Sequence, residues 1–248
     1  MASYNAFAPF YDRFIKPVDY KRRAVYFDQL IAPHIGEQKL LLDLACGTGS
    51  LSIALSQLGY EVIAADASPQ MLSIAQQKAY DAGEQILFLN QRMETLDLYG
   101  TIDACVCALD SLNHLTDLGA LRRALARVSL FLAQGGVFVF DMNTPYKHRA
   151  LLADNSYVYE QGDTLCVWRN KTDADLLTEI ALDFFTRQAD GRYIRTGERF
   201  SERGYTVKAV SDLLSEVGLT LTALYADDSF DAPKDASERY IFVTKKGN

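Results

Sequence analysis

The chain has 248 residues, of which 49% are hydrophobic and 23% are charged, and a formal net charge of −7. This length and composition suit one full α/β core with a smaller appendage. A pI near 5.0 argues against broad nucleic-acid binding, because phosphate contacts need clustered lysine and arginine. The longest apolar runs have only strand length and the N-terminus lacks a signal-peptide core, so we expect a cytoplasmic protein without membrane spans.

Neither the cysteines nor the basic residues suggest a metal or nucleic-acid site. Cys46, Cys105, Cys107 and Cys166 fall mainly in apolar strands without paired metal-ligand spacing. We therefore expect buried free thiols and no bound metal. The densest basic run, residues 21–23, is expected to form a solvated face of a helix.

Residues 40–49 carry the most informative pattern, an apolar strand that ends in a glycine-rich turn. The strand, Leu40–Leu44, contains Asp43, and Gly47 and Gly49 allow the backbone to pass close to a ligand. Apolar residues at helical spacing follow directly after the turn. The backbone N–H groups at the start of that helix would lie beside a bound molecule.

A second strand and its following helix complete this signal. Residues 61–65 read as a strand that leads into Asp66, whose carboxylate can accept both hydroxyls of a ribose. Ser68 then caps a helix with Pro69 at its first position, and Gly83 ends that helix. Together the two strands predict a site for a nucleotide-like cofactor.

Two families of cofactor-binding proteins share this layout. A dinucleotide fingerprint needs glycine or alanine three residues after the second glycine, where this chain has Ser52. The buried carboxylate of Asp43 would also lie unfavourably close to the negative charges of a pyrophosphate. The segments DLACGTG and VIAADASPQM instead resemble the class I S-adenosylmethionine-dependent methyltransferases. The whole chain resembles a branch of small bacterial methyltransferases with an antiparallel insertion after the fifth strand.

The order of the predicted elements gives the fold class. Residues 37–145 alternate strand and helix, which requires a parallel sheet with right-handed crossovers. With the resemblance, this predicts an α/β fold with a doubly wound, Rossmann-like, mostly parallel seven-stranded sheet, a C-terminal antiparallel strand pair and a small antiparallel β insertion. The predicted parts are an N-terminal helical lid (residues 1–36), a methyltransferase core (residues 37–150 and 205–248) and the insertion, a substrate cap (residues 151–204).

Turn and cap residues predict where several elements end. Gly135-Gly136 is expected to end a helix before the fifth strand. Gly162-Asp163 and Asp190-Gly191 are expected to form two-residue hairpin turns within a four-stranded insertion. Thr206 is expected to cap the helix that follows.

The resemblance implies S-adenosyl-L-methionine as the cofactor and S-adenosyl-L-homocysteine as the product. Relatives commonly carry an acid after the third strand, but this chain has Arg92, so a stacked arginine or the backbone of Met93 would replace the usual adenine contact. The residues assigned to the cofactor are Asp43, Ala45, Gly47 and Gly49 at the methionine half, Asp66 at the ribose, Ala67 and Met71 at the adenine, and Tyr11, Arg92, Met93 and Leu109.

Methyl transfer needs alignment more than chemical assistance. The sulfonium methyl is already electrophilic, so positioning and exclusion of water dominate, and no universal base is required. The loop after the fourth strand lies at the carboxyl edge of the sheet, where ligands bind. Asp110 and Asn113 are the candidates for contacts near the transferred methyl. His114 is the candidate base or, alternatively, a surface or helix-cap histidine.

Three segments are predicted to bind the acceptor. Asp141 and Asn143 follow the fifth strand and either line the cleft or merely turn the chain. Glu198, Arg199, Arg203 and Tyr205 fall where the resembling branch has an E-x-H-x-x-R-x-Y motif, with Phe200 in place of the histidine. In the alternative, these charges lie on the outer face of a sheet. The aromatic N-terminal segment, which covers the cofactor in relatives, contributes Tyr4.

The predicted function is in-line methyl transfer from S-adenosyl-L-methionine to a small-molecule acceptor. The alternatives are a tRNA or other macromolecule methyltransferase, a non-catalytic S-adenosylmethionine-binding module and, less favoured, an NAD-dependent oxidoreductase. The acidic charge disfavours a nucleic-acid acceptor, and the sequence leaves the oligomeric state open.

Overall fold

The computed structural model describes residue 14, residues 18–37 and residues 39–247. We label as α1 to α5 the helices Tyr20–Ile31, Ser50–Ser56, Pro69–Ala82, Leu118–Phe131 and Val207–Glu216. Strands β1 to β11 are Leu40–Leu44, Glu61–Asp66, Leu87–Asn90, Ile102–Cys107, Leu132–Asn143, Ser156–Gln161, Thr164–Thr172, Leu177–Arg187, Tyr193–Arg203, Leu219–Ala226 and Arg239–Lys246. Short helical turns cover Ala32–His34, Met93–Thr95, Ser111–His114 and Lys147–Leu152.

The strands form two sheets. The larger sheet has seven strands in the order β10-β11-β5-β4-β1-β2-β3. Its first five strands in the chain pair in parallel, and β11 runs antiparallel to both β5 and β10. The smaller sheet, β6-β7-β8-β9, is antiparallel throughout. This architecture confirms the predicted fold class.

Helix ends follow the predicted capping chemistry. The side chain of Ser68 accepts a hydrogen bond from the backbone N–H of Met71 at the start of α3, and Gly83 ends this helix in the left-handed conformation. The side chain of Thr206 accepts from the backbone N–H of Ala209 in the same way. These caps depend on neighbouring residues only, which is why the sequence predicted them.

Two glycine predictions were wrong. Gly135 and Gly136 lie inside β5, because α4 already ends at Phe131. A side chain at Gly136 would sit 2.9 Å from the carbonyl oxygen of Asp103, so the close approach of β4 requires a glycine there. Asp190-Gly191 belongs to the longer connection between β8 and β9, residues 188–192, rather than to a two-residue turn.

Helix α1 belongs to the core. Phe27 and Ile31 are fully buried in the cluster that joins α1 and α2 to one face of the large sheet. Arg23, expected on a solvated face, is only 7% exposed, whereas its neighbours Lys21 and Arg22 are exposed. Because α1 is part of the core, it does not belong to the predicted lid. Residues 1–13 and 15–17 of that predicted lid lie outside the described residues.

Apolar side chains cover both faces of the large sheet. A second cluster joins α4 and α5 to the other face and includes Phe138, Phe140 and Phe242. A third, smaller cluster lies within the insertion and includes Ile180 and Phe184. The carboxyl ends of β1, β2, β4 and β5 meet at one edge of this buried sheet, which is where ligands bind in such folds.

The four cysteines are free, as predicted. Cys105, Cys107 and Cys166 are buried, and Cys46 is partly exposed in the glycine-rich turn. In the described part of the chain, no helix combines the length and the apolar character needed to cross a membrane.

Candidate active site

A cavity of about 1380 Å³ opens at the carboxyl edge of the large sheet. Gly47, from the turn after β1, and Asp66, the last residue of β2, line one end. Trp168 and Phe200, from the insertion sheet, line the other. The cavity therefore joins the predicted cofactor site to the predicted cap.

The turn after β1 is built from residues with a left-handed backbone. Ala45, Gly47 and Gly49 have φ values of 60°, 55° and 73°. A Cβ atom at Gly47 would meet no atom within 4 Å, whereas one at Gly49 would lie 2.8 Å from the Cβ atom of Ala75 in α3. Gly47 therefore leaves space beside the cavity, and Gly49 allows α3 to pack against the turn.

Asp66 holds this turn from the end of β2. Its Oδ2 atom accepts a hydrogen bond from the backbone N–H of Gly47 at 2.9 Å, and Oδ1 accepts from that of Ser68 at 2.8 Å. Burial raises the pKa of Asp66, and these backbone donors oppose the rise. The backbone of Ala67 also donates to this carboxylate, which leaves acceptor capacity for a hydrogen bond from the predicted ribose.

Asp43 lies beneath the turn and is only 2% exposed. The hydroxyl of Ser52 in α2 donates to its Oδ2 atom at 2.5 Å. Burial raises the pKa of Asp43 to about 7, although this hydrogen bond opposes the rise. Asp43 thus ties β1 to α2 and supports the glycine turn from within.

The loop after β4 is held by a buried carboxylate. Leu109 and Asp110 both have left-handed backbones, with φ values of 57° and 55°, which is uncommon for residues other than glycine. Their N–H groups donate to the two oxygens of Asp141, at 2.8 Å and 2.7 Å. Asp141 is fully buried at the end of β5 and keeps the loop in this strained form.

Two arginines complete the surroundings of Asp141. Arg23 of α1 donates to Oδ2 at 2.7 Å, and Arg239 at the start of β11 donates to Oδ1. Arg239 also binds Asp110 at 2.6 Å, and Arg23 binds Asp228 at 2.6 Å. With two donors on each oxygen, Asp141 has no capacity left for a ligand. We infer that it positions the loop rather than binding the acceptor.

Asp110, His114 and Glu202 meet at the cavity, and their polar side-chain atoms lie within 4.8 Å of one another. Burial opposes ionisation of Asp110, but the charges of Arg239 and Lys147 outweigh it and hold its pKa well below the usual range. Burial, together with the charge of Asp110, raises the pKa of Glu202 to about 8. Burial lowers the pKa of His114, so its imidazole is neutral at pH 7.

Two asparagines fix Glu202 against the core. Asn143 donates from Nδ2 to Glu202 Oε2 at 3.1 Å and accepts from Lys147 Nζ at 2.9 Å. Asn113 is fully buried, accepts from the backbone N–H of Asn143 at 3.0 Å and donates to the carbonyl oxygen of Arg203 at 2.8 Å. Asn113 therefore joins β5 to β9 and sets the position of Glu202.

Aromatic rings form the wall of the cavity that faces the insertion. Tyr157, Tyr159, Trp168 and Phe200 line it. The ring of Tyr157 meets that of Trp168 edge-on at 6.0 Å. The Trp168 N–H donates to a side-chain oxygen of Asn170, and the Tyr157 hydroxyl donates to a backbone carbonyl. Since protein partners hold these polar groups, Trp168 and Tyr157 offer their rings to a ligand.

Most of the predicted site residues come together here. Those that line the cavity are Ala45, Gly47, Asp66, Ala67, Met71, Arg92, Met93, Leu109, Asp110, His114, Asn143 and Arg199. The fully or largely buried polar side chains of Asp43, Asn113 and Asp141 support the site through protein contacts.

Other predicted residues contact protein groups or lie elsewhere. Tyr205 is buried, and its hydroxyl donates to the carbonyl oxygen of Leu115. Arg203 donates to the carbonyl oxygen of Asp175 at 3.3 Å, and Glu198 is half-buried on β9. Tyr4 and Tyr11 lie outside the described residues.

Sequence reasoning missed Glu202, Lys147, Arg23 and Arg239. Glu202 had a local signal, because side chains two residues apart in a strand share a face, and Phe200 had already been singled out. The ring of Phe200 lies 5.2 Å from that of His114. An imidazole from the β4 loop thus stands beside the position where the resembling motif has a histidine.

Comparisons with known proteins agree with this geometry. A family profile described as a methyltransferase domain matches residues 41–136. The chain is similar to the putative methyltransferase GWCH70_2453 of Geobacillus sp. strain WCH70, at 30% identity over 98% of this chain and 100% of that protein. It is 31% identical to the putative methyltransferase YqeM of Bacillus subtilis strain 168, over 98% of this chain and 97% of YqeM.

A solved structure extends the similarity to three dimensions. The crystal structure of an S-adenosylmethionine-dependent methyltransferase from Clostridium acetobutylicum ATCC 824 matches with a TM-score of 0.89, at 30% identity over 99% of both chains. This chain therefore resembles known methyltransferases over its full length. The similarity includes the glycine turn, the acid that ends β2 and the strand order. The chain belongs to the class I S-adenosylmethionine-dependent methyltransferases.

Proposed function

We propose that the enzyme transfers the methyl group of S-adenosyl-L-methionine to a small-molecule acceptor held between the β4 loop and the insertion sheet. The observation that carries this proposal is the single cavity that runs from Gly47 and Asp66 to Trp168 and Phe200. One ligand pocket typically has roughly 300 to 1,000 Å³. The volume of about 1380 Å³ therefore suits a cofactor together with a second small molecule.

The two ends of the cavity differ in a way that suits two ligands. At the glycine turn, backbone groups and Asp66 offer hydrogen bonds to a polar nucleoside. At the insertion, rings and the apolar side chains of Ile180 and Leu182 face the cavity. A relative named glycine/sarcosine N-methyltransferase, from Parasynechococcus marenigrum strain WH8102, is 29% identical over 96% of this chain and 83% of that protein. Its name supports a small acceptor here.

In this proposal the protein acts mainly by alignment. The turn after β1 and the strained β4 loop fix the sulfonium end of the cofactor, and the insertion closes over the acceptor. Holding the two reactants in line replaces a bimolecular encounter, which can lower the barrier by about 7 to 11 kcal/mol in the best cases. Excluding water strengthens the remaining electrostatic interactions.

Calorimetry with S-adenosyl-L-homocysteine tests the cofactor half. Asp66→Ala should weaken binding roughly tenfold to a hundredfold, because hydrogen bonds to an ionised acceptor are lost. Asp212→Ala, a surface change on α5, should bind like the parent. Unchanged affinity in a folded Asp66→Ala protein would remove the ribose assignment.

Transfer of a labelled methyl group tests the acceptor half. The enzyme is incubated with methyl-labelled S-adenosyl-L-methionine and a bacterial extract, which is then separated into small molecules, RNA and protein. The label should appear among the small molecules. Label confined to RNA or protein would contradict a small acceptor while leaving the methyltransferase assignment intact.

A further inference from the structure

The geometry points to the class of acceptor. We propose that the acceptor is a protonated amine carried on an apolar or aromatic body, and that Glu202 receives the proton that its nitrogen must lose. This inference rests on the proposed function, since it concerns the acceptor half of the same cavity.

Glu202 stands at the boundary between the two ends of the cavity. It lies near the end of β9, is 5% exposed and lines the cavity. Asn143 fixes its Oε2 atom at 3.1 Å, and its Oε1 atom lies 3.8 Å from His114 Nε2. The carboxyl group is thus held in one position beside the β4 loop, where the methyl group is delivered.

The two cationic groups near Glu202 both have other hydrogen-bond partners. Arg239 is engaged by Asp110 and Asp141, and Lys147 donates to the oxygen of Asn143. The other groups that face Glu202 are the ionised Asp110 and the neutral His114. Burial and the charge of Asp110 raise the pKa of Glu202 to about 8, so the carboxyl is mainly protonated at pH 7. The positive charge of a bound ammonium group would lower the pKa of Glu202 and leave its carboxyl group ionised.

The wall beyond Glu202 suits the rest of such a molecule. The rings of Trp168, Tyr157 and Phe200 and the side chain of Leu182 line the cavity there. Aromatic faces attract cations and also pack against apolar bodies. The ammonium group of an aliphatic or aromatic amine would therefore contact the carboxylate of Glu202, and the rest of the molecule would pack against the aromatic rings.

The transfer requires only the amine, the cofactor and Glu202. The carboxylate of Glu202 takes one proton from the ammonium group, which leaves a neutral amine with a lone pair. This lone pair forms the N–C bond as the S–CH₃ bond breaks, and the electron pair of that bond stays on sulfur. The products are a methylated ammonium ion and neutral S-adenosyl-L-homocysteine, and Glu202 is left protonated, as it was before the ammonium group bound. The one proton released overall is the proton that left Glu202 on binding.

A metal ion is the competing interpretation of the same cluster, because Asp110, His114 and Glu202 are all potential ligands. The contacts argue against it. Asp110 already binds the guanidinium of Arg239 at 2.6 Å, and the charge of Lys147 acts on both carboxyl groups. A metal ion held by this cluster would have to displace the guanidinium of Arg239 from Asp110, whereas an ammonium group needs only the carboxylate of Glu202.

The test uses two probes that differ in one group, 2-phenylethylamine and 2-phenylethanol. Each is titrated calorimetrically into the complex of the enzyme with S-adenosyl-L-homocysteine, at pH 7 and in buffers with different ionisation enthalpies. The amine should bind about tenfold more tightly than the alcohol, because it forms a charge-assisted contact. Its binding should also release most of a proton as Glu202 ionises, and that of the alcohol should release none.

Matched variants assign the effect to Glu202. Glu202→Gln should remove both the preference for the amine and the proton release while still binding S-adenosyl-L-homocysteine. Glu179→Gln, the same change at an exposed position on the neighbouring strand β8, should keep both. If Glu202→Gln fails to fold, the comparison of the two probes in the parent enzyme still decides the matter.

Three outcomes would overturn this inference. Equal binding of amine and alcohol without proton release is one, and amine binding that disappears after treatment with EDTA is another, since it would assign the cluster to a metal. In the extract experiment, label on oxygen or carbon only would also overturn it, yet would leave the proposed function standing. Failure of the proposed function is distinguishable, because no small molecule would then carry the label.

Discussion

Gly47 and Gly49 both have left-handed backbones but differ in what surrounds them. Any side chain at either position is strained, so the same substitution carries a similar backbone penalty at both. Only at Gly49 does a Cβ atom also collide with α3, at 2.8 Å from Ala75. At Gly47 it would instead project into open space beside the cofactor end of the cavity.

We therefore predict that Gly47→Val loses cofactor binding more than stability, whereas Gly49→Val loses stability more. Thermal melting without ligand and calorimetry with S-adenosyl-L-homocysteine separate the two effects. A Gly47→Val protein that melts like the parent and binds normally would show that the turn does not contact the cofactor.

Asp43 makes stability depend on pH in a defined direction. Its pKa rises from 3.8 to about 7 on folding, because burial favours the neutral acid. The folded protein thus holds the proton more tightly than the unfolded chain, and stability falls as pH rises from about 4 to about 7. The whole penalty, on the order of 4 kcal/mol, is present above pH 7.

We predict that Asp43→Asn removes this penalty, because the amide oxygen can still accept from Ser52 and carries no charge. The free energy of unfolding of the variant relative to the parent should rise by about 2 to 3 kcal/mol between pH 5 and pH 8. Urea denaturation of both proteins at the two pH values measures this difference. Parallel pH dependence of the two proteins would rule out Asp43 as the source.

At the scale of elements, Asp141 connects parts of the fold that are distant in sequence. It joins the end of β5 to the β4 loop, to Arg23 of α1 and to Arg239 at the start of β11. Removing it would leave two buried or partly buried guanidinium groups without this carboxylate, and two strained N–H groups without an acceptor. The loss of one partner from a buried ion pair typically costs about 3 to 5 kcal/mol.

Asp141→Ala should therefore lower the free energy of unfolding by about 3 to 5 kcal/mol and weaken S-adenosyl-L-homocysteine binding in whatever fraction stays folded. Asp183→Ala is the matched control, because that aspartate also binds two arginines, Arg169 and Arg195, but on the insertion sheet. Those arginines are about half exposed, so the control should lose far less. Equal losses would show that the central network has no special role.

Local chemistry could be predicted from the sequence, and long-range contacts could not. The caps at Ser68 and Thr206 and the turn at Gly162-Asp163 depend on adjacent residues, so the pattern identified them. Gly135-Gly136 was misassigned because the two residues lie inside β5, where a side chain at Gly136 would meet backbone oxygens of β5 itself and of the neighbouring strand β4. The partners of Asp141 lie 118 and 98 residues away in sequence, and no periodicity in the chain connects them.

The whole molecule encloses its cavity by bringing the insertion sheet over the edge of the large sheet. The small sheet carries its own apolar cluster, and Phe14, which precedes α1, packs on that cluster. The ring of Phe14 lies 5.7 Å from that of Phe184, and Phe14 also lines the cavity. Phe14 thus contacts the insertion sheet shortly before α1 begins.

We predict that residues 1–14 form a lid that closes when the cofactor binds. Methyl transfer from a sulfonium benefits from a dry, closed site, and Phe14, the one residue of this segment that the structure describes, contacts the insertion and lines the cavity. Hydrogen exchange in residues 1–14 should slow when S-adenosyl-L-homocysteine is added, whereas a helix that merely covers the core would be protected without it. Removing these residues should weaken binding and abolish transfer, with unchanged melting of the ligand-free core as the control. Equal exchange with and without ligand, or full activity after truncation, would contradict the lid.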